Sequence, residues 1–89
     1  MQLSVFSQIK VLYEGHASEV ILPGEDGELT ALDFHQAFLS RLRSGYIRIK
    51  TQNILGGIVK DASTSRIKIK YGVAKMFKNE LVILAEPYA

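Results

Sequence analysis

Two histidines, His16 and His35, are the side chains best suited to metal ligation, and they stand nineteen positions apart in an 89-residue chain with no cysteine. Neither belongs to a spacing such as H-E-x-x-H, in which one helical turn brings two imidazoles to a single ion. Each therefore reads as a loop or edge histidine, and no metal is expected. Ser40, His35 and Asp33 could be drawn as a nucleophilic triad, but no G-x-S-x-G elbow presents the serine, and any chain of this size offers such a set. Gly56-Gly57 is the only glycine pair. Without a G-x-x-x-x-G-K-[ST] loop around it, a turn is its reading, not a phosphate cradle. Glu25, Asp26 and Glu28 gather oxygens but lack the alternating ligand order of an EF-hand, so they read as a solvated turn. The expectation is a chain with no catalytic residues, no metal and no cofactor.

What remains is charge. Arg48 and Lys50 alternate with Ile47 and Ile49, and Arg66, Lys68 and Lys70 alternate with Ile67 and Ile69. A solvent face laid over a buried aliphatic face accounts for both runs. The alternative is a basic sheet face that tracks phosphates, which would make the chain a small basic all-β nucleic-acid-binding module. That alternative needs aromatics among the cations. Tyr46 shares parity with Arg48, whereas Tyr71 has the parity of Ile69, so the interleaving is thin and no nucleic acid is expected as partner. Along the chain, residues 1–40 hold one basic and six acidic residues, a balance of −5, and residues 41–89 hold ten and three, a balance of +7. Either two faces of opposite potential result, or folding interleaves the halves and cancels the field.

These side chains need a scaffold, and its dominant period is two. Leu3 to Ser7, Ile9 to Tyr13, Glu19 to Leu22, Tyr46 to Lys50, Arg66 to Tyr71, Val73 to Phe77 and Leu81 to Ala85 are short β-rich runs at the spacing of a sandwich or barrel. Pro23-Gly24-Glu25-Asp26-Gly27, Ser44-Gly45 and Lys78-Asn79-Glu80 supply turns. One segment disputes the pattern: Leu29, Leu32, Phe38, Leu39 and Leu42 fall at helical spacings, so residues 33–43 read alone as a short helix. Length allows a single domain, residues 1–89. No apolar run approaches the roughly 20 residues that span a bilayer, and Met1 to Phe6 has no basic region ahead of an apolar one. An interior, non-inserted protein follows as the default expectation.

The stretch from Leu22 to Leu39 resembles the epsilon subunit of the rotary F-type ATP synthase. The family shows a strand, a glycine–acidic–glycine–glutamate turn, a short strand, a loop histidine and a pair of large apolar residues. Here these are Gly24, Gly27-Glu28, His35 and Phe38-Leu39. Leu3-Ser4-Val5 and Val11-Leu12-Tyr13-Glu14-Gly15 match its opening, and Gly45 to Ile49 and Val82 to Glu86 match two later strands. The family's usual proline and glycine before the histidine are Asp33 and Phe34 here, and Thr51 to Ser65 is longer than the family's hairpin.

The resemblance implies an all-β, two-sheet sandwich of about ten short strands, with residues 33–43 as loop and short strand instead of helix. It implies a non-catalytic rotor subunit of the central stalk that couples rotation of the c-subunit ring to the gamma shaft for ion-driven ATP synthesis. The gamma subunit and the c-ring are then the partners, on the cytoplasmic face of a bacterial plasma membrane. Leu12, Tyr13, Phe38 and Leu39 are the residues it places against gamma, and the same side chains would also suit plain core packing. Glu28, Asp33 and His35 are nominated for the polar loops of the ring. Relatives carry a C-terminal helical hairpin that brakes ATP hydrolysis, and a chain ending at Ala89 is expected to couple without braking.

Overall fold

Strict alternation of inward and outward side chains lays one side of nearly every strand on a common core, as period-two patterning requires. The computed structural model describes residues 1–88, except the side chains of residues 53–55 and 59–61; Ala89, the last residue of the expected domain, lies outside the described residues. The strands are β1 (Gln2–Phe6), β2 (Val11–His16), β3 (Glu19–Gly24), β4 (Gly27–Leu32), β5 (Phe38–Leu42), β6 (Gly45–Leu55), β7 (Ile58–Phe77) and β8 (Glu80–Pro87). Among the described residues there is no helix.

All eight join into one hydrogen-bonded sheet in the order β2-β1-β8-β7-β5-β3-β4, with β6 between β3 and β7. The pairing is antiparallel except for β1 with β8. The sheet folds over on itself into the two layers of a sandwich. The first layer holds β2, β1, β8, the C-terminal part of β7, and β5. The second holds β4, β3, β6 and the N-terminal part of β7. Between them lie Leu3, Val5, Val20, Leu22, Ile47, Ile49, Ile69, Met76, Leu81 and Ile83, all essentially inaccessible to water. Each such side chain contributes roughly 1.5–3 kcal/mol by leaving water.

Eight strands stand where about ten short ones were expected, because two are long. The stretch from Thr51 to Ser65 is a ladder: β6 runs on to Leu55, turns at Gly56 and Gly57 (φ 62° and 78°), and returns as β7. A left-handed pair of this kind is cheap only for glycine. The helical spacing over residues 33–43 loses to tertiary pairing. Phe38 through Leu42 pair with Met76 through Gly72, and Leu39 points outward while Leu42 is buried. A helix would leave the β7 edge without partners.

The fold turns on a corner. β5 and β6 lie end to end along one edge of β7 in a single register, from Phe38↔Met76 to Asn53↔Asp61. On β6 the odd residues Ile47 and Ile49 face inward, yet on β5 it is the even residue Leu42. On β7 Ile69 faces inward and so do Ala74 and Met76. Parity therefore reverses on both strands at one level: Arg43-Ser44 on one, Lys70-Tyr71 on the other, all exposed. A bulge against β8 between Ile69 and Tyr71 marks the place. Bulges and bends let strands pass from one layer to the other. Glycines flank the corner. A Cβ on Gly72 would stand 2.6 Å from the Leu84 carbonyl oxygen, and one on Gly45 would stand 2.9 Å from Pro23 Cβ.

Candidate functional site

The outward side of the first layer carries an apolar row. Register places Val73 opposite Leu84, Leu84 beside Phe6, and Phe6 opposite Val11, one apolar row across four strands. The next row brings Leu39, Lys75 and Val82 abreast. Tyr71, turned outward by the corner, closes one end. Leu39 is 73% exposed, Tyr71 62% and Leu84 59%. A shallow groove of about 290 Å³ runs between Phe6, Tyr71, Val73 and Leu84. A contiguous apolar sheet face open to water marks an interaction surface, unlike single exposed side chains.

Of the four residues expected at an apolar contact, Leu39 stands on this face. Leu12, Tyr13 and Phe38 are partly buried and pack against the core, and the Tyr13 hydroxyl donates to the His16 carbonyl at 3.0 Å. Sequence reasoning missed Phe6, Val11, Tyr71, Val73 and Leu84. The signal for Val73 and Leu84 was their opposite parity to Ala74 and Ile83. Tyr71 gave a misleading signal, since its parity matches Ile69 until the bulge reverses it.

The outward side of the second layer is cationic. Tyr46, Arg48 and Lys50 on β6 stand across from Lys68, Arg66 and Thr64 on β7. The Arg66 guanidinium lies 5.0 Å and the Lys68 ammonium 5.8 Å from the Tyr46 ring centroid. Lys68 and Lys70 lie 4.9 and 5.8 Å from the Tyr88 ring, whose hydroxyl meets Ser44 Oγ at 2.8 Å. Aromatic interleaving, thin in the sequence, is thus present in space, with Tyr88 supplied by the tail after β8. Arg48 donates to Glu28 at 2.5 Å, and Lys50 pairs with Glu19 at 3.0 Å. The N-terminal −5 and C-terminal +7 halves are therefore partly interleaved, and the surplus of positive charge gathers on β6 and β7.

One pole of the sandwich collects the remaining candidates. The N-terminal ammonium of Met1 donates to the Ala17 carbonyl at 2.8 Å and pairs with the Asp33 carboxylate. His35 meets Phe38 edge-on, ring centroids 5.6 Å apart, and its amide donates to the Leu32 carbonyl. Phe34, between them, is 84% exposed at φ 59° and is held by its amide donating to Asn79 Oδ1 at 2.7 Å. Positive φ costs a residue with a Cβ about 1–2 kcal/mol, and strain of this sort gathers where a loop is used. Asp33 and His35 therefore share one loop, while Glu28 stands away from it: Glu28 is the second residue of β4 and Leu32 the last, a separation of roughly 13 Å along the strand.

No group of three or more His, Cys, Asp or Glu side chains suited to a metal occurs among the described residues. Among those same residues no helix is long and apolar enough to cross a membrane.

Residues 1–88 match the family described as ATP synthase, Delta/Epsilon chain, beta-sandwich domain. The chain is 29% identical over 86 residues to the ATP synthase epsilon chain of Sulfurimonas denitrificans, covering 97% of this chain and 60% of that one. It is 30% identical over 86 residues to that of Helicobacter pylori strain G27, covering 97% and 63%. Among solved structures it superposes, at a TM-score of 0.75 and 14% identity, on a chain from the mitochondrial ATP synthase central stalk and c-ring of Tetrahymena thermophila, covering 96% of this chain and 62% of that one. The structural likeness bears on fold alone, and the chain spans about 60% of the length of the relatives it matches.

Proposed function

Because the chain belongs to the beta-sandwich family of the ATP synthase Delta/Epsilon chain, we propose that it is a non-catalytic rotor subunit of the central stalk, coupling rotation of the c-ring to the gamma shaft during ion-driven ATP synthesis. The observation that carries this is the apolar row Val73, Leu84, Phe6 and Val11 on the outward side of a sheet whose other side is already a complete core. Permanent interfaces resemble a core cut in half, and this face offers such a half. Leu39 joins it from β5, while Leu12, Tyr13 and Phe38 support the layer from beneath as part of the proposed gamma contact. Close-packed sandwiches resist compression and transmit strain, which torque transfer requires.

The proposed ring contact is the pole, where Asp33 and His35 flank the exposed Phe34. Charged groups at such a rim fix register more than they add affinity. Glu28, at the other end of β4, contributes there only at a distance. The proposed location is peripheral, on the cytoplasmic face of a bacterial plasma membrane, in keeping with the bacterial relatives.

The test is reconstitution. Added to an epsilon-depleted bacterial complex, the chain should restore ATP-driven ion pumping, and it should co-purify with the gamma subunit. Leu84→Glu should weaken both pumping and co-purification while leaving the unfolding midpoint nearly in place. Wild-type chain that neither restores pumping nor binds gamma overturns the reading.

A further inference from the structure

The cationic face has no task in the reading above. Arg66, Lys68 and Lys70 line one side of β7 at intervals of about 6.6 Å, the repeat of alternate residues in a strand. Among the described residues no carboxylate comes within ion-pair distance of any of the three, nor of Arg43 at the corner. Arg48 stands directly opposite Arg66 in the β6–β7 register. Like charges facing each other across a strand pair destabilise a sheet. The tyrosines do not remove that cost: they fix the cations in place, as a ladder of Arg66, Tyr46, Lys68, Tyr88 and Lys70. A preorganised row of cations favours binding because little side-chain entropy remains to be lost. Beside it, Arg43, Arg48 and Arg66 converge on a concavity with Tyr46 and Ser44.

We infer that this face binds an acidic, extended protein segment with carboxylates on alternate residues. The molecule already shows the contact in miniature. Glu28 reaches from β4 past β3 to place its carboxylate on Arg48 at 2.5 Å, and Glu19, on β3 directly across from Lys50, pairs with it at 3.0 Å. A partner strand carrying glutamates at every second position repeats at about the spacing of Arg66, Lys68 and Lys70, and each arginine suits a bidentate carboxylate. Nucleic acid fits less well. Sequence-independent strands bind by stacking bases on exposed rings, and here both ring systems are overlaid by cations.

The inference is independent of the gamma contact, which uses the opposite face. Its test is fluorescence anisotropy of a labelled peptide of alternating glutamate and threonine, titrated with the full chain at low ionic strength. Oligothymidylate of equal charge and phosphatidylglycerol vesicles serve as competitors. The peptide should bind saturably and weaken with added salt. Paired charge reversal, Arg66→Glu with Lys68→Glu, should weaken it by about tenfold or more, and the milder pair Arg66→Gln with Lys68→Gln should do so by a smaller factor. Leu84→Glu should leave it unchanged. Absence of saturable binding by the wild-type chain, indifference to both pairs of substitutions, or displacement of the peptide by oligothymidylate or vesicles more readily than by unlabelled peptide would each overturn it.

Discussion

The two outward faces of this sandwich are built by the same strand and could hardly differ more. From Arg66 to Lys70, β7 shows water a row of cations; from Tyr71 to Phe77 it shows Tyr71, Val73 and Phe77 with a single lysine, Lys75. No domain boundary or loop separates the two. The divide is the corner, bulged against β8, at which two successive residues, Lys70 and Tyr71, both point outward. One extra residue thus does three things at once. It carries the strand from one layer to the other, restores the inward parity of the apolar residues, and sets the border between a greasy surface and a charged one. Two surfaces of opposite chemistry can then be carried on a body of 89 residues without either diluting the other.

Removing that residue is the most severe way to break the contrast. Deleting Lys70 shifts everything beyond it by one position, so Tyr71, Val73 and Lys75 turn toward the core and Ala74 and Met76 toward water. A one-residue slip of this kind exchanges the faces of the whole strand. The expected outcome is loss of the cooperative unfolding transition in urea, followed by tyrosine fluorescence. A folded deletion variant would mean that the corner is not what fixes the two faces.

Much of this was legible beforehand, and for a definite reason. Period-two alternation in Tyr46 to Lys50 and Arg66 to Lys70 reports burial directly, so the sheet, its basic side and its aliphatic core were readable from residue types alone. Residues 33–43 were ambiguous because a helix and a strand place apolar residues at overlapping intervals over so short a span; the pairing of Phe38 with Met76 decides it, and that is a tertiary fact. The apolar face was only partly readable. Leu39 does stand exposed on that face, but Leu12, Tyr13 and Phe38 could not be told from core by type, and they pack on it. Tyr71 was misplaced because parity arguments assume an unbroken ladder, and nothing in Ile69-Lys70-Tyr71-Gly72 announces a bulge except the glycine that makes room for Leu84. The clustering of Tyr88 with Lys68 and Lys70 joins residues about twenty apart and had no local signal.

The next effect in size separates the faces by function while leaving the fold intact. Leu84 is well exposed on the apolar row, so Leu84→Glu should change folding stability by no more than about 0.5 kcal/mol. Placed at the centre of a desolvated contact, the same change should cost about 2 kcal/mol of gamma binding, some thirtyfold in Kd. Lys68→Glu, on the other face, should leave gamma binding within about twofold, the range of surface changes outside an interface. Isothermal titration with purified gamma subunit measures both. Equal losses from the two substitutions would erase the distinction between the faces.

A smaller effect belongs to the pole that lies beyond both. Phe34 holds φ 59°, a conformation that glycine adopts without a Cβ penalty. Phe34→Gly should stabilise the chain by about 0.5–1 kcal/mol in urea melts, the relief of left-handed strain less the entropy glycine gains when unfolded. If the exposed ring is kept for the ring contact, the same variant should lose pumping in the reconstituted complex while gaining stability. A variant that loses stability would show that the ring packs on the pole in a way that outweighs its backbone strain.

The slightest change in stability gives the sharpest reading of the charged face. Glu28 and Arg48 are both partly open to water, so their ion pair contributes no more than about 0.5 kcal/mol to folding, and Glu28→Gln should hardly move the urea midpoint. Its effect on binding has the opposite sign to every other substitution considered. Glu28 occupies Arg48 as an internal substitute for a partner's carboxylate, so neutralising it releases that arginine and makes the face more positive by one charge. Affinity for the alternating glutamate peptide should rise, by about two- to fivefold at low salt, and the gain should shrink as salt screens it. An unchanged or weakened affinity would mean that Arg48 does not belong to the peptide's footprint, and would confine the acidic segment to the β7 row of Arg66, Lys68 and Lys70.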